Sequence, residues 1–333
     1  LHLCDRRQRQ MCIRDSPWFD AEMLATANWL SEYYLCSPAE AMRLFIPGKT
    51  SIKRQAVYND EGKLIAYDYE NKLKIKTRIC FVVTKAGREA LVAYNKRLRA
   101  QMHALEVLAE AERPLRGEEL ASVQVSAATL RILCEKGWSE RSEQRVLRNS
   151  YANRTELKES LHLTDEQRQA VEAIGSAITE PHQETFLLQG ITGSGKTEVY
   201  LRVAAQAMEA GKQVLLLVPE IALTAQIVKR FQAWFGDEVA VAHSKLSQNE
   251  RADVWYKMRT NSAKLLIGVR SAVFAPFSDL GLIIIDEEHE SSYKQDERPN
   301  YHARTVALKR AQLSGIPVCL LYTSPSPRDR SVS

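Results

Sequence analysis

The stretch Thr185-Phe186-Leu187-Leu188-Gln189-Gly190-Ile191-Thr192-Gly193-Ser194-Gly195-Lys196-Thr197 decides the reading of this chain. Its first five residues are a short, β-prone run. The next eight match G-x-x-x-x-G-K-[ST], and a helical segment follows. In a strand–loop–helix setting, glycines let backbone N–H groups turn inward around a phosphate, and the helix N-terminus adds the positive end of its dipole. Gly190, Gly193, Ser194 and Gly195 are the expected cradle. Lys196 supplies a point charge to the β- and γ-phosphates, and the Thr197 hydroxyl is an expected Mg²⁺ ligand. The pattern points to a nucleotide site.

Working outward, the runs 185–189, 213–218, 238–242, 264–267 and 282–285 alternate with helical or loop segments. Short continuous apolar strands separated in this way predict an α/β fold, a parallel sheet with helices on both faces. Ser247-x-x-Glu250 marks one helix start as a capping box. The last run opens Ile283-Ile284-Ile285-Asp286-Glu287-Glu288-His289, which delivers Asp286 to the carboxyl edge of the sheet, where it can hold Mg²⁺. Glu287 is then placed to orient or deprotonate an attacking water. Lys196, Asp286 and Glu287 are therefore the candidate catalytic groups. Glu288 and His289 fit either a site role or local loop hydrogen bonds. Gln167 has two readings: its amide can address the adenine edge, and Thr164-x-x-Gln167 is itself a capping box.

The first half of the chain differs in charge. Residues 1–160 carry 27 Lys/Arg against 21 Asp/Glu, whereas 161–333 carry 19 against 20. Nine basic residues (Lys72, Lys74, Lys76, Arg78, Lys85, Arg88, Lys96, Arg97, Arg99) and one acid, Glu89, fall in 72–99. Such a concentration suits a phosphate backbone or a solvated face. Residues 17–45 read as helical and aromatic, ending at Pro47-Gly48. Short strands follow over 55–84, with Leu73, Ile75 and Thr77 alternating with lysines and a turn at Asn59-Asp60-Glu61-Gly62. A helix is predicted over 87–112 and a second over 127–136, closed by Gly137, and 138–148 resembles a polar β-wing. Helix, turn, helix and wing suggest a winged-helix module.

With 45% hydrophobic and 26% charged residues, the composition fits a globular chain and argues against disorder. No apolar stretch reaches bilayer-spanning length, and residues 1–16 lack a secretory apolar core. The six scattered cysteines (Cys4, Cys12, Cys36, Cys80, Cys134, Cys319) contain no C-x-x-C pair and offer no zinc site. A reducing, cytoplasmic location with no membrane partner is expected.

Four segments taken together carry a resemblance: Gly190–Thr197; Val218-Pro219-Glu220-Ile221-Ala222-Leu223-Thr224; Ile267-Gly268-Val269-Arg270-Ser271-Ala272-Val273-Phe274-Ala275-Pro276-Phe277; and Asp286-Glu287-Glu288-His289-Glu290-Ser291-Ser292-Tyr293-Lys294-Gln295. They resemble the PriA family, bacterial primosomal replication-restart DNA helicases of superfamily 2. The resemblance covers roughly residues 17–320 and implies a RecA-like first helicase lobe preceded by a winged-helix DNA-binding domain. It implies ATP and Mg²⁺ as cofactors and 3′-to-5′ movement on DNA.

By the same resemblance, Pro219, Glu220 and Thr224 line the single-strand path, and Gly268, Arg270 and Ser271 contact the DNA backbone. His289 joins the DNA-coupling group. Tyr293 to His302 looks like an aromatic-rich loop that couples DNA contact to hydrolysis, with Tyr293 and Tyr301 as stacking faces and Lys294 and Arg298 drawing phosphates. The implied partners are single-stranded and forked DNA, other primosome proteins and single-strand-binding protein.

The expected division is 1–16 as a non-native leader, 17–48 as the last helices of an N-terminal 3′-DNA-end-binding domain, and 49–155 as the winged helix. Residues 160–320 form the ATP-binding lobe and 321–333 a non-native tail. Where the family continues into Gly-Ser-Ala-Thr-Pro, this chain reads Leu321-Tyr322-Thr323-Ser324-Pro325. The family's second lobe, with its arginine finger and zinc-bearing insertion, has no counterpart here, so zinc is expected only in full-length members. Little unwinding is therefore expected from these residues. The competing classes are a small-molecule P-loop kinase and a non-enzymatic winged-helix DNA-binding module with a vestigial ATP site.

Overall fold

The computed structural model describes residues 19–47, 52–58, 64–71, 77–92, 98–111, 113–145, 162–180, 182–191 and 193–324. Of the features read from sequence, Trp18, the 59–62 turn, Leu73, Ile75 and the lysines at 72, 74, 76 and 96 lie outside these residues, as does Arg97. The chain divides into two compact units, one made of 1–73 with 150–333 and the other of 74–149.

The larger unit begins with two helices, α1 (Ala21–Tyr33) and α2 (Pro38–Leu44). Asp20 caps α1 by accepting from the Met23 N–H, and Ser37 with Glu40 forms a capping box on α2, with Pro38 in its first turn. Strands β1 (Ile52–Tyr58) and β2 (Leu64–Asn71) pair antiparallel.

The smaller unit follows, with β3 (Thr77–Val83), α3 (Lys85–Val92), α4 (Arg99–Glu110), β4 (Leu115–Arg116), α5 (Gly117–Ser122), α6 (Ala127–Glu135) and β5 (Ser139–Arg145). Its core is Val83, Met102, Leu105, Leu108, Leu120, Leu130 and Leu133. One expectation changes here. The helix read over 87–112 is two helices, because Leu98 takes a non-helical conformation (φ −111°, ψ 34°) ahead of α4. The polar stretch read as a β-wing is a strand over Ser139–Arg145, paired with β3 in a sheet ordered β4-β3-β5, and 146–148 lie outside the described residues. Gly137 does close α6, at φ +69°.

The rest of the larger unit is α7 (Asp165–Thr179), β6 (Thr185–Ile191), α8 (Lys196–Glu209), β7 (Gln213–Leu217), α9 (Ala225–Phe235), β8 (Val239–Ala242), α10 (Gln248–Arg259), β9 (Leu265–Gly268), β10 (Leu280–Ile285), α11 (Ala303–Ser314) and β11 (Val318–Ser324). The six strands β6 to β11 form one parallel sheet ordered β6-β11-β10-β7-β9-β8. Strands β7, β8 and β9 are buried at every residue, as a parallel sheet covered on both faces requires. The edge strand β6 instead alternates exposed and half-buried positions.

Two hydrophobic cores sandwich the sheet. One joins Val199, Tyr200, Leu201 and Phe231 of α8 and α9, with Val171 and Ile174 of α7, to Val214, Leu216 and Ile284. The other joins Leu215, Ile283 and Ile285 to Trp255, Val306 and Ala307, and it takes in Phe19, Met23, Ala27 and Leu30 from the N-terminal helices. The helices read as the end of a separate module thus share a core with the sheet. Arg310, 1% exposed, sits in this seam. It makes hydrogen bonds of 3.0 and 2.7 Å to Glu22 and 2.5 and 3.0 Å to the carbonyls of Val273 and Ala275. The lobe's last strand also runs past residue 320: β11 stays in register with β6 until Ser324 pairs with Ile191. Among the described residues, no helix is long and apolar enough to cross a membrane.

Candidate functional site

All six strands of the sheet run the same way, so every strand–loop junction that follows one opens at a single edge. The order along that edge places the P-loop after β6, then the end of β11, then Asp286 after β10, Pro219–Thr224 after β7 and Gly268–Ser271 after β9. Neighbouring strands lie about 4.8 Å apart, so Asp286 follows the P-loop strand by roughly two strand spacings. Along one rim the P-loop therefore lies on one side of the acidic pair and the predicted DNA-coupling segments after β7 and β9 lie on the other, while His289, Tyr293 and Lys294 follow the acidic pair itself.

Local geometry builds the P-loop. Gly193 and Gly195 sit at φ +80° and +82°, left-handed conformations in which a side chain is strained. Gly195 is also the N-cap of α8, whose first residue is Lys196. A Cβ on Gly190 would lie 2.5 Å from Ser194 Oγ, and one on Gly195 would lie 2.4 Å from Gln167 Nε2. Lys196 Nζ donates to the Gly190 and Ile191 carbonyls at 2.8 and 3.1 Å, folded back over the loop it serves.

Gln167 is occupied by the protein itself. Its Oε1 accepts from Thr164 N at 3.0 Å, and its Nε2 donates to the Ser194 carbonyl at 2.9 Å. The capping-box reading therefore describes the amide, which also clips α7 to the P-loop.

Asp286 is held by its N–H to the Leu217 carbonyl at 2.9 Å. Burial, reinforced by the Glu287 charge, pushes its carboxyl up from 3.8 to about 6, against the opposing pull of a hydrogen bond from the Glu287 N–H and the Lys196 charge. Glu287 has φ +43°, the uncommon left-handed region for a residue with a side chain. Its carboxylate accepts from Thr323 N at 3.1 Å and from Thr323 Oγ1, and His289 Nδ1 stands 3.9 Å away. Tyr200 Oη donates to Thr197 Oγ1 at 3.2 Å, and its phenol pKa is raised by burial and by Asp286.

Two carboxylates and a hydroxyl beside a glycine-lined loop with a lysine are hard oxygen donors of the kind Mg²⁺ takes with substrate phosphates. The residues present thus fit an Mg-nucleotide.

The residues predicted to couple to DNA resolve into distinct environments. Pro219 is buried and Glu220 exposed, while Thr224 caps α9 by accepting from Ile227 N. Gly268 is buried, and an added Cβ would lie 2.4 Å from the Ala272 side chain, so its lack of a side chain serves packing. Arg270 and Ser271 are half-buried, and Arg270 Nη1 donates to the Lys294 carbonyl at 2.8 Å.

Tyr293 and Tyr301 do not present free faces. They are 0% and 3% exposed, because each ring fills the core beneath the loop. Tyr293 Oη donates to the carbonyls of Asp286 at 2.5 Å and Leu217 at 3.2 Å, and Tyr301 packs edge-on against Phe274. Lys294 and Arg298 are exposed, as expected. Sequence reading missed Tyr200, Thr323 and Arg304, which pairs with Glu288. Their only signal is proximity across the fold.

Residues 164–324 match the family described as DEAD/DEAH box helicase, and residues 6–47 match the one described as 3′DNA-binding domain. The latter match begins within the opening 1–16 stretch. The replication restart protein PriA of Bacillus subtilis (strain 168) is 39% identical over 307 residues, which are 87% of this chain and 38% of that protein. The protein of the same name in Chlamydia trachomatis serovar D is 37% identical over 309 residues, covering 90% of this chain and 38% of its own length. Among solved structures, RecG bound to a three-way DNA junction aligns with 25% identity over 52% of this chain and 22% of its own, at a TM-score of 0.40. The chain spans 38% of the length of the first two relatives.

Proposed function

The chain belongs to the PriA family of replication restart proteins, and from that premise we propose that it supplies the ATP-binding lobe of a 3′-to-5′ DNA helicase acting in primosome assembly at stalled forks. One observation carries the reading. The P-loop that ends in Lys196 follows β6 and the Asp286–Glu287 pair follows β10, two strands away at the same edge of the parallel sheet. DNA-contacting elements on the same edge support single-stranded and forked DNA as partners, with other primosome proteins and single-strand-binding protein by kinship. Cytoplasmic placement follows from the same kinship.

Each residue has a distinct task in this reading. Backbone N–H groups between Gly190 and Lys196 surround the β-phosphate, and Lys196 turns from the Gly190 and Ile191 carbonyls to the phosphate oxygens. Thr197 and Asp286 would hold Mg²⁺, whose charge would neutralise the phosphates. Glu287, fixed in its unusual backbone conformation, orients or deprotonates the attacking water. An arginine finger is worth about 10³–10⁵ in rate in this class of enzyme, and in this family it belongs to the second lobe. These 333 residues therefore bind Mg-ATP, hydrolyse it slowly and do not unwind duplexes.

Titration of a fluorescent ATP analogue, with and without oligo(dT), tests this on wild-type and Lys196→Ala protein. The expected result is saturable Mg²⁺-dependent binding that responds to oligo(dT) and is lost in the variant. Undiminished binding by Lys196→Ala overturns the reading, and robust DNA-stimulated ATPase activity from this chain overturns the slow-turnover part of it.

A further inference from the structure

The loop from Lys294 to His302 is closed at its base by a β-bridge between those two residues and by a 2.8 Å hydrogen bond from Gln295 N to the Tyr301 carbonyl. One arm is wired to the rim of the sheet, at the Arg270 segment and at Asp286. The Lys294 carbonyl accepts from Arg270, and the adjacent Tyr293 hydroxyl holds the carbonyl of Asp286. The other arm ends at His302, whose N–H donates at 3.1 Å to the hydroxyl of Tyr34, 268 residues earlier in the chain. Tyr34 lies just beyond the C-terminus of α1, held edge-on by Trp29 and Tyr33 at 6.0 and 4.9 Å. The Lys294 ammonium stands 5.9 Å from the Tyr34 ring. Tyr34 therefore touches both ends of the bridge that closes the loop.

The helix behind Tyr34 does not yield easily. Leu30, Ala27 and Met23 are buried in the core shared with the sheet, and Glu22 is locked to Arg310. Arg310 in turn holds the carbonyls of Val273 and Ala275, in and just after the short 3₁₀ turn that starts at Arg270. The α1 helix is thus tied to the Arg270 segment at one end and to the loop at the other.

From these contacts we infer that Tyr34 is a positioning residue for the coupling loop: through its hydroxyl on His302 and its ring against Lys294 it sets the loop's closed form, and so lets the N-terminal helices govern whether DNA contact is transmitted to Asp286. The inference rests on the nucleotide-site reading above. A phosphate drawn to Lys294 competes with the Tyr34 ring and with the Asn300 carbonyl for the ammonium. The resulting shift reaches Tyr293 and Arg270 only if the His302 end stays anchored. Without the Tyr34 hydroxyl the loop gives at its base, and DNA contact is absorbed locally.

The test measures reciprocity: the factor by which saturating oligo(dT) changes the dissociation constant of a fluorescent ATP analogue. Allosteric factors typically run about 5- to 150-fold. Tyr34→Phe, which removes one oxygen and keeps the ring, is expected to bring the factor to within about twofold of unity. Its affinities for analogue alone and oligo(dT) alone should remain at wild-type values. Amide exchange of the 294–302 segment should rise in the same variant. A wild-type factor retained in Tyr34→Phe overturns the inference and leaves the nucleotide site standing. A change in either isolated affinity also overturns it, since Tyr34 would then be merely structural. Analogue binding that is indifferent to oligo(dT) in the wild type overturns both the inference and the coupling on which it rests.

Discussion

Replacing Asp286 by Asn should stabilise the protein while removing its metal-dependent nucleotide binding. The Asp286 carboxyl titrates at about 6 in the folded chain against an ordinary 3.8, chiefly because burial opposes its charge. At about 1.4 kcal/mol per pH unit, that difference is a folding penalty of about 3 kcal/mol at neutral pH. Partial exposure at the sheet rim discounts this to about 1–3 kcal/mol. The sign follows from the raised value. Above about pH 6 the group is charged in both states and the folded chain bears the full penalty. As pH falls through 6 the folded chain takes up a proton first and the penalty fades, leaving about a third of it at pH 4.5. Asn removes the charge and can keep the acceptor used by the Glu287 N–H at 3.2 Å. Urea unfolding of wild type and Asp286→Asn at pH 7.5 and 4.5 reads the difference directly, and a thermal scan should show a rise of about 2–4 °C per kcal/mol. A variant that is less stable at pH 7.5, or a gain that does not shrink at the lower pH, would refute the desolvated-carboxylate argument.

Other perturbations separate the parts of the site. Gly195→Ala forces a side chain into φ +82° and against Gln167, so it should cost about 1–2 kcal/mol and weaken analogue binding at least about tenfold, as read by unfolding and by fluorescence titration. Glu287→Gln should keep nucleotide affinity within about twofold and lower single-turnover hydrolysis by about 10²–10⁴, the usual range for a lost general base; intact turnover would reassign the catalytic acid. Arg310→Met takes the guanidinium from Glu22, which keeps the Thr26 hydroxyl as a donor, and from two buried carbonyls, so chemical denaturation should show a loss of about 3–5 kcal/mol, partly recovered by adding Glu22→Leu.

Much of the scaffold was legible because local pattern carries it. Runs such as Leu282–Ile285 are apolar throughout, which is how a strand covered on both faces must read. Thr164, Ser247 and Gly137 announce helix ends through chemistry confined to a few residues. Partner choice is what local pattern does not carry. Nothing in the sequence of β11 says that it slots between β6 and β10, and nothing near Gln167 says that its amide will clip the Ser194 carbonyl, 27 residues on. The bond between Arg310 and Glu22 spans 288 residues. The tyrosines misled for a related reason. An aromatic residue in a charged loop reads as exposed, yet Tyr293 and Tyr301 face inward because the chain beneath them supplies Phe274 and two strand-end carbonyls.

That inversion bears on how such a loop can transmit anything. A segment whose aromatic rings all faced solvent could bind a base without moving its own ends. Here the rings are the anchors: Tyr293 is pinned to the backbone of Asp286 and Tyr301 to the Arg270–Phe274 turn through Phe274. Of the cations between them, Arg298 is exposed within the loop, and Lys294 is exposed at its bridged base with its ammonium on the Asn300 carbonyl. A phosphate drawn to either pulls against those fixed points. Buried Tyr Oη groups that hold backbone carbonyls are costly to leave unsatisfied, by about 1–3 kcal/mol each. Tyr293 should accordingly move with the Asp286 carbonyl instead of releasing it, so a displacement of the loop is expected to reach the strand end.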